Sequence, residues 1–216
     1  MSTILLNEIS EKLQRGKAKD VAALVEQALA EGIAPESILN DGLVVGMNVI
    51  GDKFRENQVF VPEVLVAARA MNAGLKILKP ALAGAGVEPL GTAVICTVKG
   101  DMHDIGKNLV KMMIEGQGIA CIDLGVDVDP QTIVDTVRDN DVQLVCLSAL
   151  LTTTMYGQKE VIDALCAAGL RDKVRVMVGG APITQEFSDE IGADCYTLDA
   201  ASAAREAKRL IAEMRA

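Results

Sequence analysis

At Gly84-Ala85-Gly86-Val87-Glu88-Pro89-Leu90-Gly91 the hydrophobic period of the chain changes, and this constrains the fold more than any other feature. Before it, apolar residues recur at helical spacing. After it, short apolar, β-branched runs alternate with helical stretches. One pattern cannot serve as the other, because side chains share a helix face every 3.6 residues and a strand face every 2. Three glycines and a proline within this stretch read as a linker between two differently built halves.

Four helices are expected before the linker. Leu6, Ile9 and Leu13 mark the first, ended by Gly16, and Val21, Leu24, Val25, Ala28 and Leu29 the second, ended by Gly32. Pro35 and Ser37 open a third that runs through Leu39, Leu43, Met47 and Ile50. The fourth begins at Val61-Pro62-Glu63, where proline and a carboxylate both suit a first turn, and continues through Leu65, Ala68, Met71, Leu75 and Leu78. With short connections these helices form a small antiparallel bundle.

Beyond the linker, strands are expected near 93–98, 119–124, 143–148, 174–178 and 194–197. Helical patterns fall between and after them, near 105–116, 130–139, 155–168, 184–191 and 200–214. Asp129-Pro130 is an N-cap followed by proline at the first helical position. Alternating strand and helix implies right-handed crossovers and a mostly parallel sheet covered on both faces. The expectation is therefore a helical domain over 1–88 and a Rossmann-like, flavodoxin-like parallel-sheet domain over 89–216.

Half of the residues are apolar, yet there are only 3 Phe, 2 Tyr and no Trp, so the core is aliphatic. A formal charge of −9 argues against a nucleic-acid or anionic membrane surface, since either needs a basic footprint. No basic stretch precedes an apolar one at the N-terminus, and the longest apolar run, near 144–151, is too short to span a bilayer and contains Ser148. The five cysteines form no C-x-x-C pair, which excludes both zinc-site spacing and a disulfide framework. Small buried thiols in a reducing compartment fit better, so a cytoplasmic protein is expected.

The chain has one histidine, His103, in the string Gly100-Asp101-Met102-His103-Asp104-Ile105-Gly106. Imidazole is the commonest protein metal ligand and the usual proton carrier near neutral pH. The string follows the apolar run Thr92-Ala93-Val94-Ile95-Cys96-Thr97-Val98, which puts His103 at the carboxyl end of a strand, where open α/β sheets bind ligands. A lone histidine is more often an ordinary surface or core residue, and Asp also starts turns and caps helices. Two further loops reach the same edge: Ser148-Ala149-Leu150-Leu151-Thr152-Thr153-Thr154 and Val178-Gly179-Gly180-Ala181-Pro182. Hydroxyls also cap helices and glycines also make turns. The meeting of all three loops at one edge favours a ligand cleft.

Asp101-Met102-His103-Asp104-Ile105-Gly106, then Ser148-Ala149-Leu150, then Gly179-Gly180 resembles the D-x-H-x-x-G, S-x-L and G-G signature of cobalamin-binding domains. The segments 46–54 and 59–71 resemble the helical cap of methionine synthase and of the small corrinoid proteins of methyltransferase systems. The resemblance covers nearly the whole chain, in order. It implies that the helical half is a cap, that cobalamin (methylcobalamin or a related corrinoid) is the cofactor, and that His103 is the lower axial ligand of cobalt, replacing the cofactor's own base. Asp101 would accept the other imidazole N–H, and Thr154 stands where methionine synthase extends this relay with a serine. The displaced base and its tail would lie in a slot lined by Ser148, Thr152, Gly179, Gly180 and the region of Ala200. Gly100, Met102, Asp104, Ile105, Gly106 and Leu150 complete the implied cofactor-binding set. Phe60 falls where the family places an apolar residue over the upper face of the corrin. Val45 replaces a family glutamate, which removes one polar contact.

By that resemblance the chain is a methyl carrier and not an enzyme on its own. Its partners would be a substrate-specific methyltransferase, a corrinoid:acceptor methyltransferase and a reductive activase. A cobalamin-dependent regulator or light sensor is the alternative, but such proteins add a basic DNA-binding unit and an aromatic-rich cap, and neither pattern is present. A mutase subunit would have no role for the apolar cap around Val61-Pro62-Glu63. In a flavodoxin-like domain without cobalt, His103 would be incidental.

Overall fold

The structure, a computed structural model, describes residues 2–215. The chain forms two compact units. One takes in the chain up to Pro89 together with Gly116–Gly118, the other Leu90–Glu115 and the chain from Ile119 onward.

The first unit is helical. Helix α1 (Ser2–Gln14) buries Leu5, Leu6, Ile9 and Leu13, and α2 (Ala18–Ala30) buries Val21, Val25 and Ala28, each at one helical face. The expected third helix is present but changes register twice. It opens as α3 (Pro35–Ser37), passes through a π-helical stretch, Ile38–Val44, and continues as α4 (Val45–Arg55). The π stretch buries Ile38 and the three consecutive residues Gly42, Leu43 and Val44. Glycines allow the close packing: a Cβ on Gly42 would lie 3.3 Å from Ile9, and one on Gly46 3.1 Å from the Ser10 carbonyl. Helix α5 (Val61–Gly84) closes the unit with Val64, Ala67, Met71, Leu75, Leu78 and Leu82 inside. Replacing one fully buried side chain such as Leu78 by alanine costs roughly 2–5 kcal/mol in a core of this kind.

The second unit is a five-stranded parallel sheet with helices on both faces. Its elements are β1 (Thr92–Val98), α6 (Ile105–Glu115), β2 (Ala120–Val128), α7 (Pro130–Asp139), β3 (Leu144–Ser148), α8 (Gly157–Ala167), β4 (Arg175–Gly179), α9 (Gln185–Ile191), β5 (Cys195–Tyr196) and α10 (Ala200–Arg215). The strand order is β2-β1-β3-β4-β5 and every pair is parallel. Val94, Cys96, Val98, Val145, Leu147, Val176 and Val178 form one core face against α7, α8 and α9. Helices α6 and α10 pack on each other and on the opposite face. Burial pushes the Cys96 thiol up to about 12, so it behaves as a small apolar group.

Strand β2 runs four residues past its expected end. From Asp123 onward Leu124, Val126 and Val128 alternate with Asp123, Gly125 and Asp127, the pattern of a half-exposed edge strand. An unbroken apolar run, the mark of a central parallel strand, stops short of it. The β1–β2 register also slips between Ile95 and Cys96 and again between Cys96 and Val98. In the linker, Gly86 ends the α5 turn at φ 70, while a Cβ on Gly91 would stand 2.5 Å from Ile211. Gly91 is therefore a packing residue as much as a flexible one. No helix among the described residues is long and apolar enough to cross a membrane.

Candidate functional site

The strand order reverses between β1 and β3, and ligands of such sheets bind outside the carboxyl ends at that switch point. The register places Thr97, Ser148 and Gly179 side by side in one row at the ends of β1, β3 and β4. The three loops singled out from sequence start from this row.

After β1 the chain turns at Gly100, whose φ of 80 suits glycine, and Asp101 enters the interior completely. Asp101 Oδ1 accepts the His103 backbone N–H at 3.0 Å and lies 2.7 Å from His103 Nδ1. Its Oδ2 accepts the Leu150 N–H at 2.8 Å and the Thr154 hydroxyl at 2.7 Å. Burial alone would raise this carboxyl. The Thr154 hydroxyl, the backbone N–H groups of His103 and Leu150, and the imidazole override burial and hold it well below the usual carboxylate range. An ionised carboxylate only accepts, so Nδ1 carries the proton of the neutral ring and Nε2 keeps its lone pair. The His103 side chain is 49% exposed, and its Nε2 hydrogen-bonds to nothing among the described residues. Thr97, fully buried, donates its hydroxyl to the His103 carbonyl at 2.8 Å and fixes the loop from below.

Asp104 accepts the Asn108 amide at 3.0 Å across the first turn of α6, and Gly106 sits exposed in that turn with open space where a Cβ would be. Thr152 is exposed. A Cβ on Gly179 would meet nothing nearer than the Thr197 carbonyl at 3.7 Å, which leaves its face open to a ligand. Gly180 has a different reason: its φ is 128, and a Cβ there would overlap the Ala149 carbonyl. Ala200 is buried at the start of α10, so its side chain faces inward. In the helical unit, Phe60 is exposed at the N-terminus of α5 with its N–H on the Glu63 carboxylate at 3.0 Å, and Val45, at the start of α4, is exposed too.

Large apolar side chains left in solvent mark the second unit's loops. Met102, Ile105, Leu150 and Leu151 are exposed beside the residues just described, and Leu198, after β5, is 86% exposed. Leu151 and Leu198 were not singled out from sequence. Their signal, apolar residues in loops at the ligand edge, was available. Thr97 and Asp127, whose carboxylate accepts the Gly100 N–H at 2.7 Å, were missed because the first reads as an ordinary strand residue and the second falls past the expected end of its strand, where it reads as loop.

Among the described residues no three of His, Cys, Asp and Glu gather to hold a bare metal ion. A single outward imidazole with an apolar surround suits a metal whose other positions a macrocycle fills. The nitrogen's orientation by a buried carboxylate matches how metal-binding imidazoles are usually fixed.

The chain matches two family models, each described as a B12 binding domain, over residues 91–208 and 5–79. It is 44% identical over 209 residues to the dimethylamine corrinoid protein of Methanosarcina barkeri, covering 96% of this chain and 98% of that one. It is 44% identical over 177 residues to trimethylamine corrinoid protein 1 of Methanosarcina acetivorans, covering 81% and 82%. Among solved structures it is similar to the methanol:cobalamin methyltransferase complex MtaBC from Methanosarcina barkeri, with a TM-score of 0.85 and 33% identity over 96% of this chain and 80% of that one. A cobalamin-binding protein from Desulfitobacterium hafniense DCB-2 gives a TM-score of 0.81 and 30% identity, covering 95% and 98%.

Proposed function

The chain belongs to the B12-binding corrinoid proteins, and from that premise we propose that it carries a methyl group on cobalt from a substrate-specific methyltransferase to a corrinoid:acceptor methyltransferase. Its cofactor is a cobalamin. In this reading the cofactor's own base is displaced and His103 takes its place as axial ligand. When bound, the group supplies a cobalt centre that accepts and releases methyl; the protein binds, orients and shields it.

The observation that carries the reading is the exposed, unpartnered Nε2 of His103, backed by a fully buried carboxylate at 2.7 Å. Asp101 selects the tautomer, Thr154 and the Leu150 N–H hold Asp101, and Thr97 holds the His103 backbone. Of the expected slot, Ser148, Thr152 and Gly179 are assigned to the displaced base and its tail, whereas Gly180 is held beneath the Ala149 carbonyl and the Ala200 side chain faces inward. A reductive activase is the third partner in this proposal, restoring the centre after accidental oxidation. Loss of methyl-transfer competence after oxidation that no reductase restores would remove it.

Protein reconstituted with hydroxocobalamin and reduced to the cobalt(II) state is expected to show axial nitrogen splitting in its electron paramagnetic resonance spectrum. His103→Ala should keep the fold by circular dichroism and lose that splitting. An unchanged spectrum in the variant would remove His103 as the ligand.

Phe60 is assigned to the upper, methyl-bearing face on the strength of the resemblance and its exposed aromatic ring. Phe60→Ala should speed photolysis of bound methylcobalamin severalfold, and a wild-type photolysis rate takes Phe60 out of the site.

A further inference from the structure

Asp127 is one of two non-glycine residues with positive φ among the described residues, at 54. A non-glycine residue in this region costs free energy and persists only where its surroundings demand it, although Asp tolerates it better than most. Asp127 stands near the end of β2, inside the second of the two register slips against β1 and two residues after Gly125, itself at φ 85. From there it makes a reciprocal pair of hydrogen bonds with the segment leading into His103. Its carboxylate accepts the Gly100 N–H at 2.7 Å, and its own N–H donates to the Asp101 carbonyl at 3.0 Å. Two residues on, Asp129 receives Lys99 at 2.7 Å, a third and exposed tie between the same segments.

Gly100 is the flexible joint of this loop, in a left-handed conformation, and Asp101 hangs directly from it. Leu150 and Thr154 secure the Asp101 side chain, and the Asp101 N–H donates to the Val98 carbonyl at 3.2 Å, while the peptides on either side are held by Asp127 through the Gly100 N–H and the Asp101 carbonyl. A coordination bond tolerates only about 0.2 Å of error, so a small pivot at Asp101 reaches the imidazole as a misplaced ligand.

We propose that Asp127 is a positioning residue for the axial ligand: it clamps the Gly100 N–H and the Asp101 carbonyl, in the peptides on either side of the Gly100–Asp101 bond, to the end of β2 and thereby fixes where His103 presents its Nε2. The inference rests on the reading of His103 as the ligand of cobalt and adds a residue on another strand to it. The register slips in β2 follow from the same need, since they carry Asp127 into reach of Gly100.

Asp127→Gly is the sharpest test, because glycine adopts φ 54 without strain and keeps the N–H while losing only the carboxylate. Asp127→Asn keeps a side-chain carbonyl and also tolerates the conformation. Both are loaded with hydroxocobalamin beside wild type and His103→Ala, reduced to cobalt(II), and compared by corrinoid content and paramagnetic resonance at one pH. Asp127→Gly should retain one corrinoid per chain while the ratio of nitrogen-free to nitrogen-ligated cobalt rises about tenfold over wild type, equivalent to about 1.4 kcal/mol. Asp127→Asn should stay within about twofold of wild type. A role confined to folding would lower thermal stability and leave that ratio alone. An unchanged ratio in Asp127→Gly, or an equal rise in Asp127→Asn, overturns the proposal. Should Asp127→Gly not fold, Asp127→Ala is read against the same two thresholds. A wild-type spectrum without nitrogen splitting overturns the ligand reading and this inference together; splitting present in wild type and equal in all position-127 variants overturns this inference only.

Discussion

Asp101→Asn is expected to destabilise the second unit by about 2–4 kcal/mol at pH 7 and to disorder the His103 ring. The wild-type carboxylate accepts four donors, two on each oxygen. Asparagine has one acceptor oxygen, so whichever way the amide turns, its NH₂ faces two of those donors in a buried site. Each donor left unpaired there costs roughly 1–3 kcal/mol. The cost should depend on pH in a defined direction. A carboxylate held below its ordinary value stabilises the fold above that value, near 3.9, and this contribution fades as pH falls from there through the folded-state value. The stability difference between wild type and Asp101→Asn, measured by urea unfolding, should be constant from pH 7 to about 5 and shrink below about 4. A difference that stays constant down to pH 3 would show that the charge of Asp101 plays no part.

Gly180→Ala should be more severe. The added Cβ overlaps the Ala149 carbonyl, and the backbone must leave φ 128 or carry alanine in a region reserved for glycine. Backbone strain and overpacking together point to about 3–5 kcal/mol, which lowers the melting temperature of a unit this size by about 10–20 °C. Gly179→Ala is the informative partner. Its Cβ meets only the Thr197 carbonyl at 3.7 Å, so the fold should melt within about 2 °C of wild type. If Gly179 keeps its face open for the cofactor tail, the same variant should bind hydroxocobalamin at least about fivefold more weakly. Equal melting temperatures for the two variants would show that the two glycines do not divide these tasks.

That division was not visible in the sequence, where Gly179-Gly180 reads as one pair making room for a ligand. The difference lies in a carbonyl from the β3 loop that passes over the second glycine and not the first. The alternation of strands and helices, by contrast, is carried by residues that are buried in the order the pattern suggests, from Val94 to Ile211. The β2 extension escaped because an edge strand needs only one apolar face, so Asp123 and Asp127 look like a loop. The π-helical stretch escaped as well. Its apolar residues fit an α-helical reading, and only the packing of Gly42 against Ile9 gives the change of register a purpose. Around His103 the contiguous string made Asp101 conspicuous. Thr97 and Asp127 act through a strand end and a neighbouring strand, relations that sequence spacing does not express.

The chain contains one histidine, and that histidine sits at the site, half in solvent with a buried carboxylate behind it. Every imidazole resonance in a nuclear magnetic resonance spectrum of this protein therefore belongs to the site and needs no assignment. Labelling histidine with nitrogen-15 yields two ring signals, one from the nitrogen facing Asp101 and one from the nitrogen facing outward. Their separation reports which of them holds the proton, with no other residue to confuse the reading. The fold has reduced its imidazole chemistry to a single reporter, placed where tautomer, loop geometry and cofactor state meet.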